Sequence, residues 1–179
     1  MPKYIAYLKA INVGGHTVKM DHLKKLFEKM SFENVETFIA SGNVVFESKS
    51  KNVVSIKKKI ETELEKSLGY NVSTFIRTTK ELKEIAEHKP FKESDLNNKQ
   101  NYLYIGFLDN QPNKESQKIV LALSDEANEF CFNDKELYWL CRKNFSDSGI
   151  DGKKLEKALG MNLTMRNSTT IRKMAAKFS

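Results

Sequence analysis

Little in this chain punctuates or cross-links the backbone. Its 179 residues include only 3 Pro, 8 Gly, 2 Cys and 1 Trp. Each shortage excludes something. Cys131 and Cys141, ten positions apart, form neither a disulfide framework nor a metal-ligand spacing. They read as small buried hydrophobes of a reducing compartment. The 3 His stand scattered at positions 16, 22 and 88. No His/Cys/Asp/Glu cluster has the spacing of a metal site, so no metal and no cofactor is expected. No apolar run reaches the ~18 residues that a spanning helix needs. The apolar run near the start is too short and wrongly flanked for a secretory signal. A cytoplasmic protein with no membrane partner is the expectation.

Charge, by contrast, is plentiful: 30% of the residues are charged and the formal net charge is +7. It is unevenly spread. Residues 1–90 carry 16 Lys/Arg against 11 Asp/Glu, residues 91–138 carry 5 against 9, and residues 139–179 carry 9 against 3. Basic ends around an acidic middle suit an anionic partner. Most of these Lys fall on the polar faces of helices, however, where a solvated surface accounts for them equally well.

Periodicity supplies the elements. Tyr4 to Ile11 is a nearly continuous apolar run and is predicted as a central strand buried on both faces. Leu23, Leu26, Phe27 and Met30 mark one face of a helix opened by Asp21. Val35–Ala40 and Val44–Phe46 flank the turn Ser41-Gly42-Asn43 as a hairpin. Ile56, Ile60, Leu64 and Leu68 mark a second helix stopped by Gly69, and Val72–Ile76 is a fourth strand. Thr78 to Glu81 fits a capping box, and Pro90 ends the helix it opens. The polar stretch 92–101 is the best linker candidate. Beyond it come a strand at Tyr102–Leu108, a helix after Pro112-Asn113, and a hairpin around the polar turn Asn133–Glu136. A short helix closed by Gly160 and a last helix capped by Asn167 complete the order.

The fold class is therefore α+β in two subdomains. Residues 1–90 form a ferredoxin-like βαββαβ unit. Residues 91–179 form a related βαββα unit with an extra C-terminal helix, packed with the first as one compact body. The halves echo each other in element order, with little similarity residue by residue.

Topology brings two loops together. A right-handed crossover makes the first two strands parallel. The loop after the first strand and the hairpin turn after the second then emerge at one end of the sheet. Asn12, Gly14, Gly15, His16 and Lys19 should lie beside Ser41, Gly42 and Asn43. The first loop opens a helix, whose amides bind anions, and its glycines let a ligand approach the backbone. It is not a P-loop, lacking the second glycine followed by Lys-Ser/Thr, and not a dinucleotide fingerprint. A second candidate lies at Leu163–Lys173, where Thr164, Arg166, Asn167 and Thr170 crowd hydroxyls and a guanidinium at a helix start. For both stretches a purely structural turn or cap is the competing reading. His22 and His88 are expected on helix surfaces facing solvent, and no nucleophile elbow is present.

The motifs INVGG (Ile11–Gly15), SGNVVF (Ser41–Phe46) and TMRN (Thr164–Asn167), in this order and spacing, closely resemble a bacterial family of unknown function, domain of unknown function 1697. The resemblance covers essentially the whole chain. It implies a small cytosolic protein of two α+β subdomains, and one composite site drawing on both loops and on residues 164–170. It implies no activity. The chain departs from the family pattern at Lys9-Ala10, usually Arg-Gly, and at Ser168, usually an aromatic.

The function expected is binding of a small anionic or phosphate-bearing ligand, a nucleotide or nucleic acid, at the glycine-rich loop cleft. The alternatives are an enzyme of unassigned reaction using His16 or Lys19, and a protein-interaction module. Oligomeric state is not legible.

Overall fold

The computed structural model describes residues 1–12 and 15–179. Two units divide the chain: Met1–Leu82 with Phe178–Ser179, and Lys83–Lys177. Both are α+β, each built on a four-stranded antiparallel sheet.

The first unit runs β1 (Lys3–Leu8), α1 (Met20–Lys29), β2 (Glu33–Thr37), β3 (Asn43–Glu47), α2 (Val53–Leu68) and β4 (Thr74–Thr78), with sheet order β2-β3-β1-β4. The central place of β1 follows from its sequence: Tyr4 to Leu8 are all buried, so apolar side chains point to both faces. On one face Tyr4, Ala6, Leu8, Val44, Phe46 and Ile76 meet the apolar stripes of α1 (Leu23, Leu26, Phe27) and α2 (Ile56, Ile60, Leu64). Asn52 caps α2 by accepting the Ser55 N–H at 3.1 Å. Gly69 ends it in the left-handed conformation, donating to the Glu65 carbonyl at 2.9 Å.

The chain continues through α3 (Thr79–Glu87) and α4 (Glu93–Leu96). The capping box at the start of α3 is reciprocal. Thr78 Oγ1 accepts the Glu81 N–H at 3.1 Å, while Glu81 Oε2 accepts the Thr78 N–H at 2.7 Å. The second sheet follows, with β5 (Tyr102–Phe107), α5 (Lys114–Leu121), β6 (Asn128–Asn133), β7 (Glu136–Cys141), α6 (Gly152–Leu159), β8 (Thr164–Asn167) and α7 (Ser168–Phe178). Its order is β6-β7-β5-β8, the same arrangement as the first sheet. Leu108, Val120, Leu137, Trp139, Leu155 and Leu159 form its core on the helical face.

Some elements differ from those read in the sequence. Thr164–Asn167 does more than precede the last helix: it is the edge strand β8, pairing with β5 from Tyr104↔Asn167 to Phe107↔Thr164. Four residues with two of them hydroxyl or amide carry too short an alternation to announce a strand. With β8 in place the second unit completes the βαββαβ order, and the echo between halves reaches individual residues. Arg77 stands opposite Ile5 as Arg166 stands opposite Ile105. Each guanidinium donates to the carbonyl of the residue before it, both at 2.9 Å. Within the stretch read as a linker, Glu93–Leu96 is helical. β2 stops at Thr37, two residues before Ile39, which turns the chain at φ 61°. The second hairpin turns on Asp134-Lys135 alone, Asp134 taking φ 52°, so Asn133 and Glu136 belong to the strands. His88 lies beyond α3, half-buried, with its ring 4.9 Å from that of Tyr138.

The approach to β6 is held by one carboxylate. Asp125 Oδ1 accepts the N–H groups of Ala127 and Asn128, both at 2.8 Å, and Asn128 Nδ2 at 3.1 Å. The Ala127 amide leads the effects that hold the Asp125 carboxyl below its ordinary range. A depressed folded-state pKa stabilises the protein above the unfolded carboxylate value and loses that contribution as pH falls through the folded one. Asp125→Ala is expected to be destabilising at neutral pH and to bring its penalty toward zero in acid. Chemical denaturation of both proteins across that range measures the difference.

Candidate functional site

The exit of β1 is pinned from both sides. Leu8 N–H donates to the Gly42 carbonyl at 2.8 Å, and Lys9 N–H to the Ser73 carbonyl at 2.9 Å. The chain then passes through left-handed conformations at Ala10 (φ 62°), Asn12 (φ 59°) and Gly15 (φ 85°). Ile11 points inward and is buried. Against it sits Gly42 at φ 82°, where an added Cβ would come within 3.0 Å of Ile11 Cβ and 3.1 Å of Leu8 Cβ. Only a hydrogen fits, so the hairpin turn packs directly on the loop.

Asn12 latches the two loops. Its side-chain oxygen accepts the Val18 N–H at 2.6 Å, closing its own loop. Its amide donates to the Ala40 carbonyl at 2.7 Å, tying that loop to the hairpin. Asn43, fully buried, does the same inside the hairpin, donating to the Phe38 carbonyl at 2.9 Å and to Ser41 Oγ at 3.0 Å. Two residues expected to face a ligand are thus occupied in building the place. The two loops meet through Leu8, Ile11 and Asn12 on one side and Ala40 and Gly42 on the other. Gly14 and Val13 lie outside the described residues.

Gly15, His16, Thr17 and Lys19 are exposed. The His16 ring stacks on Tyr70 at 3.8 Å, with 23° between the planes. Burial raises the Tyr70 phenol above its ordinary pKa, and among the described residues its hydroxyl has no hydrogen-bond partner. Lys19 is the N-cap of α1 and provides no side-chain cap. Among the described residues nothing accepts from the N–H groups of Met20, Asp21 or His22, which therefore point out of the helix unsatisfied. The Asp21 carboxylate lies in the same turn.

Strain marks the two loops as well. Ala10, Asn12 and Ile39 are three of the six described non-glycine residues at positive φ. A β-branched residue such as Ile39 there is a true outlier, costing about 1–3 kcal/mol.

Thr164, Arg166, Asn167 and Thr170 belong to the second unit. Arg166 is buried, its Nη1 donating to Thr164 Oγ1 at 2.8 Å and to the Met165 carbonyl at 2.9 Å. Asn167 Oδ1 accepts the Thr169 N–H at 2.9 Å, capping α7, and Thr170 is half-buried on that helix. Thr164, Arg166 and Asn167 are thus engaged in their own strand and cap. Tyr70 carried no signal in the sequence: it meets His16 from 54 positions away through a contact that no periodicity encodes. Among the described residues no group of three or more His, Cys, Asp or Glu lies close enough to hold a metal ion.

A family model described as a protein of unknown function, DUF1697, matches residues 1–138. No curated protein matches the chain. A solved structure of the conserved bacterial protein SP0830 from Streptococcus pneumoniae is similar, with a TM-score of 0.74 and 19% identity over 99% of this chain and 98% of that one. At that identity the likeness speaks for the fold alone, two four-stranded α+β units in sequence. By the match over residues 1–138, the chain belongs to the DUF1697 family.

Proposed function

We propose that the protein binds a small phosphate-bearing ligand, the phosphate of a nucleotide or nucleic acid, in the cleft between residues 12–19 and 41–43. One observation carries the reading: the three first-turn amides of α1 have no acceptor among the described residues, and a loop latched by Asn12 holds them open. Unpaired amides at the positive end of a helix attract anions. The surroundings agree. Gly15 leaves the backbone uncovered, with nothing among the described residues within 4 Å of where its Cβ would stand. Exposed Lys19 adds a cation, and the stacked His16 adds a ring nitrogen. Among the described residues His16 meets Tyr70 and no acid or nucleophile, so binding is favoured over catalysis. A cytoplasmic setting belongs to the same reading, supported by two free cysteines. No helix among the described residues is long and apolar enough to cross a membrane.

Calorimetric titration with inorganic phosphate and with a mononucleotide tests the reading. Saturable binding is expected at low salt, weakening as salt is added. Lys19→Glu should lower the affinity about tenfold, and Asp21→Asn should raise it by removing the like charge from the first turn. Absence of saturable heat at low ionic strength, or indifference to both substitutions, would overturn it.

A further inference from the structure

A cavity of about 400 Å³ lies within the second unit, bounded by the end of α3, by α4, β5 and β7, and by the start of α7. That is within the ~300–1,000 Å³ usual for small-molecule sites. Its floor is apolar, made by Leu103 and Ile105 of β5 and Tyr138 of β7. One wall is tied to that floor: the Tyr138 hydroxyl donates to the Ile85 carbonyl at 3.4 Å, and the His88 ring leans on the Tyr138 ring. Four formally charged side chains line the cavity. Lys89 and Glu93 satisfy each other at 3.9 Å. Glu87 and Arg172 do not: among the described residues neither side chain has an ion pair or hydrogen bond, with each other or with anything else. Two opposite charges therefore line one apolar cavity, too far apart to pair.

We propose that this cavity binds a small zwitterion carrying an apolar side chain, of which an aromatic or branched-chain α-amino acid is the simplest case. The guanidinium of Arg172 takes the carboxylate, with the planar two-donor geometry that suits it. The Glu87 carboxylate takes the ammonium group. The apolar side chain covers Leu103, Ile105 and Tyr138. A simple anion would leave Glu87 opposing it, a simple cation would leave Arg172 opposing it, and a neutral apolar molecule would desolvate both charges without a partner. A molecule bearing both signs beside an apolar body meets all three demands. The cavity shares no residue with the loop cleft of the first unit and does not rest on its reading.

The test is titration of ¹⁵N-labelled protein with L-phenylalanine, L-leucine, 3-phenylpropionate and phenethylamine. L-phenylalanine and L-leucine are expected to shift the amides of Glu87 to Lys89 and Leu103 to Ile105 saturably. L-phenylalanine should bind about tenfold more tightly than either aromatic analogue lacking one charge. Arg172→Ala should abolish its advantage over phenethylamine, and Glu87→Gln its advantage over 3-phenylpropionate. Both side chains are exposed, so the rest of the spectrum should stay in place. Equal binding of L-phenylalanine and 3-phenylpropionate, shifts confined to other residues, or no saturable shift with either amino acid overturns the proposal.

Discussion

Gly42→Ala is expected to destabilise the first unit by about 2–5 kcal/mol. Two effects add. A left-handed conformation disfavours any L side chain by roughly 1–2 kcal/mol, and Gly42 sits at φ 82°. The new Cβ would also press on Ile11 Cβ at 3.0 Å and Leu8 Cβ at 3.1 Å. Both are buried branches of the β1 exit, so relief requires the loop to move, at about 1–3 kcal/mol for overpacking. Gly15→Ala is the internal control. It too is left-handed, at φ 85°, but its Cβ would meet nothing among the described residues within 4 Å, so about 1–2 kcal/mol of backbone strain is the loss expected. Denaturant unfolding of the two variants separates packing from conformation. Equal losses would mean that the hairpin does not pack on the loop as described. Since relief of that clash moves the loop held against Gly42, the replacement should weaken phosphate binding together with stability.

Trp139→Ala is expected to have the largest effect in the second unit, about 4–8 kcal/mol. The indole is fully buried among Tyr104, Phe130 and Phe145, with ring centroids 5.1, 6.1 and 5.5 Å away. Truncating such a side chain costs about 3–5 kcal/mol in lost burial and cavity. Its N–H also donates to Asn128 Oδ1 at 2.9 Å. Asn128 is itself fully buried and spends its amide on the Ser148 carbonyl and Asp125 Oδ1. Removing the indole orphans that oxygen, for a further ~1–3 kcal/mol. Trp139→Phe keeps most of the ring and isolates the second effect. If Trp139→Phe proves harmless, the hydrogen bond to Asn128 contributes little. Circular dichroism is the readout, since the chain has 1 Trp and these variants remove it.

Long apolar stripes made much of this legible in the sequence. The stripes of α1 and α2, the double-sided burial of β1 and the Gly69 stop follow from residue spacing, and they are enough to give the ferredoxin-like order. That order places the β1 exit loop and the hairpin at one end of the sheet before any coordinate is known. What escaped depends on few residues or distant ones. β8 is only four residues long, and its hydroxyl and amide groups look like a helix cap because Asn167 is one as well. Ile39 has strong β-propensity and still turns the chain, since Asn43 and Asn12 fix the backbone on either side of it. Asn12 was legible as polar and close to the cleft. Its role as latch needs the positions of Val18 and Ala40, and local sequence says nothing of the second. The cavity of the second unit draws on segments from Ile85 to Arg172, a span over which spacing carries no information.

The role of the loop cleft is tested most directly by mapping inorganic phosphate onto the amides. In ¹⁵N-labelled protein at low salt, saturable shifts are expected at Gly15 to His22 and at Ser41 and Gly42, with the largest at Met20, Asp21 and His22, and Lys19→Glu should suppress them. Phosphate that leaves these amides unmoved, or moves them no more than those at the starts of α2 and α5, which Asn52 and Asn113 already cap, would contradict it.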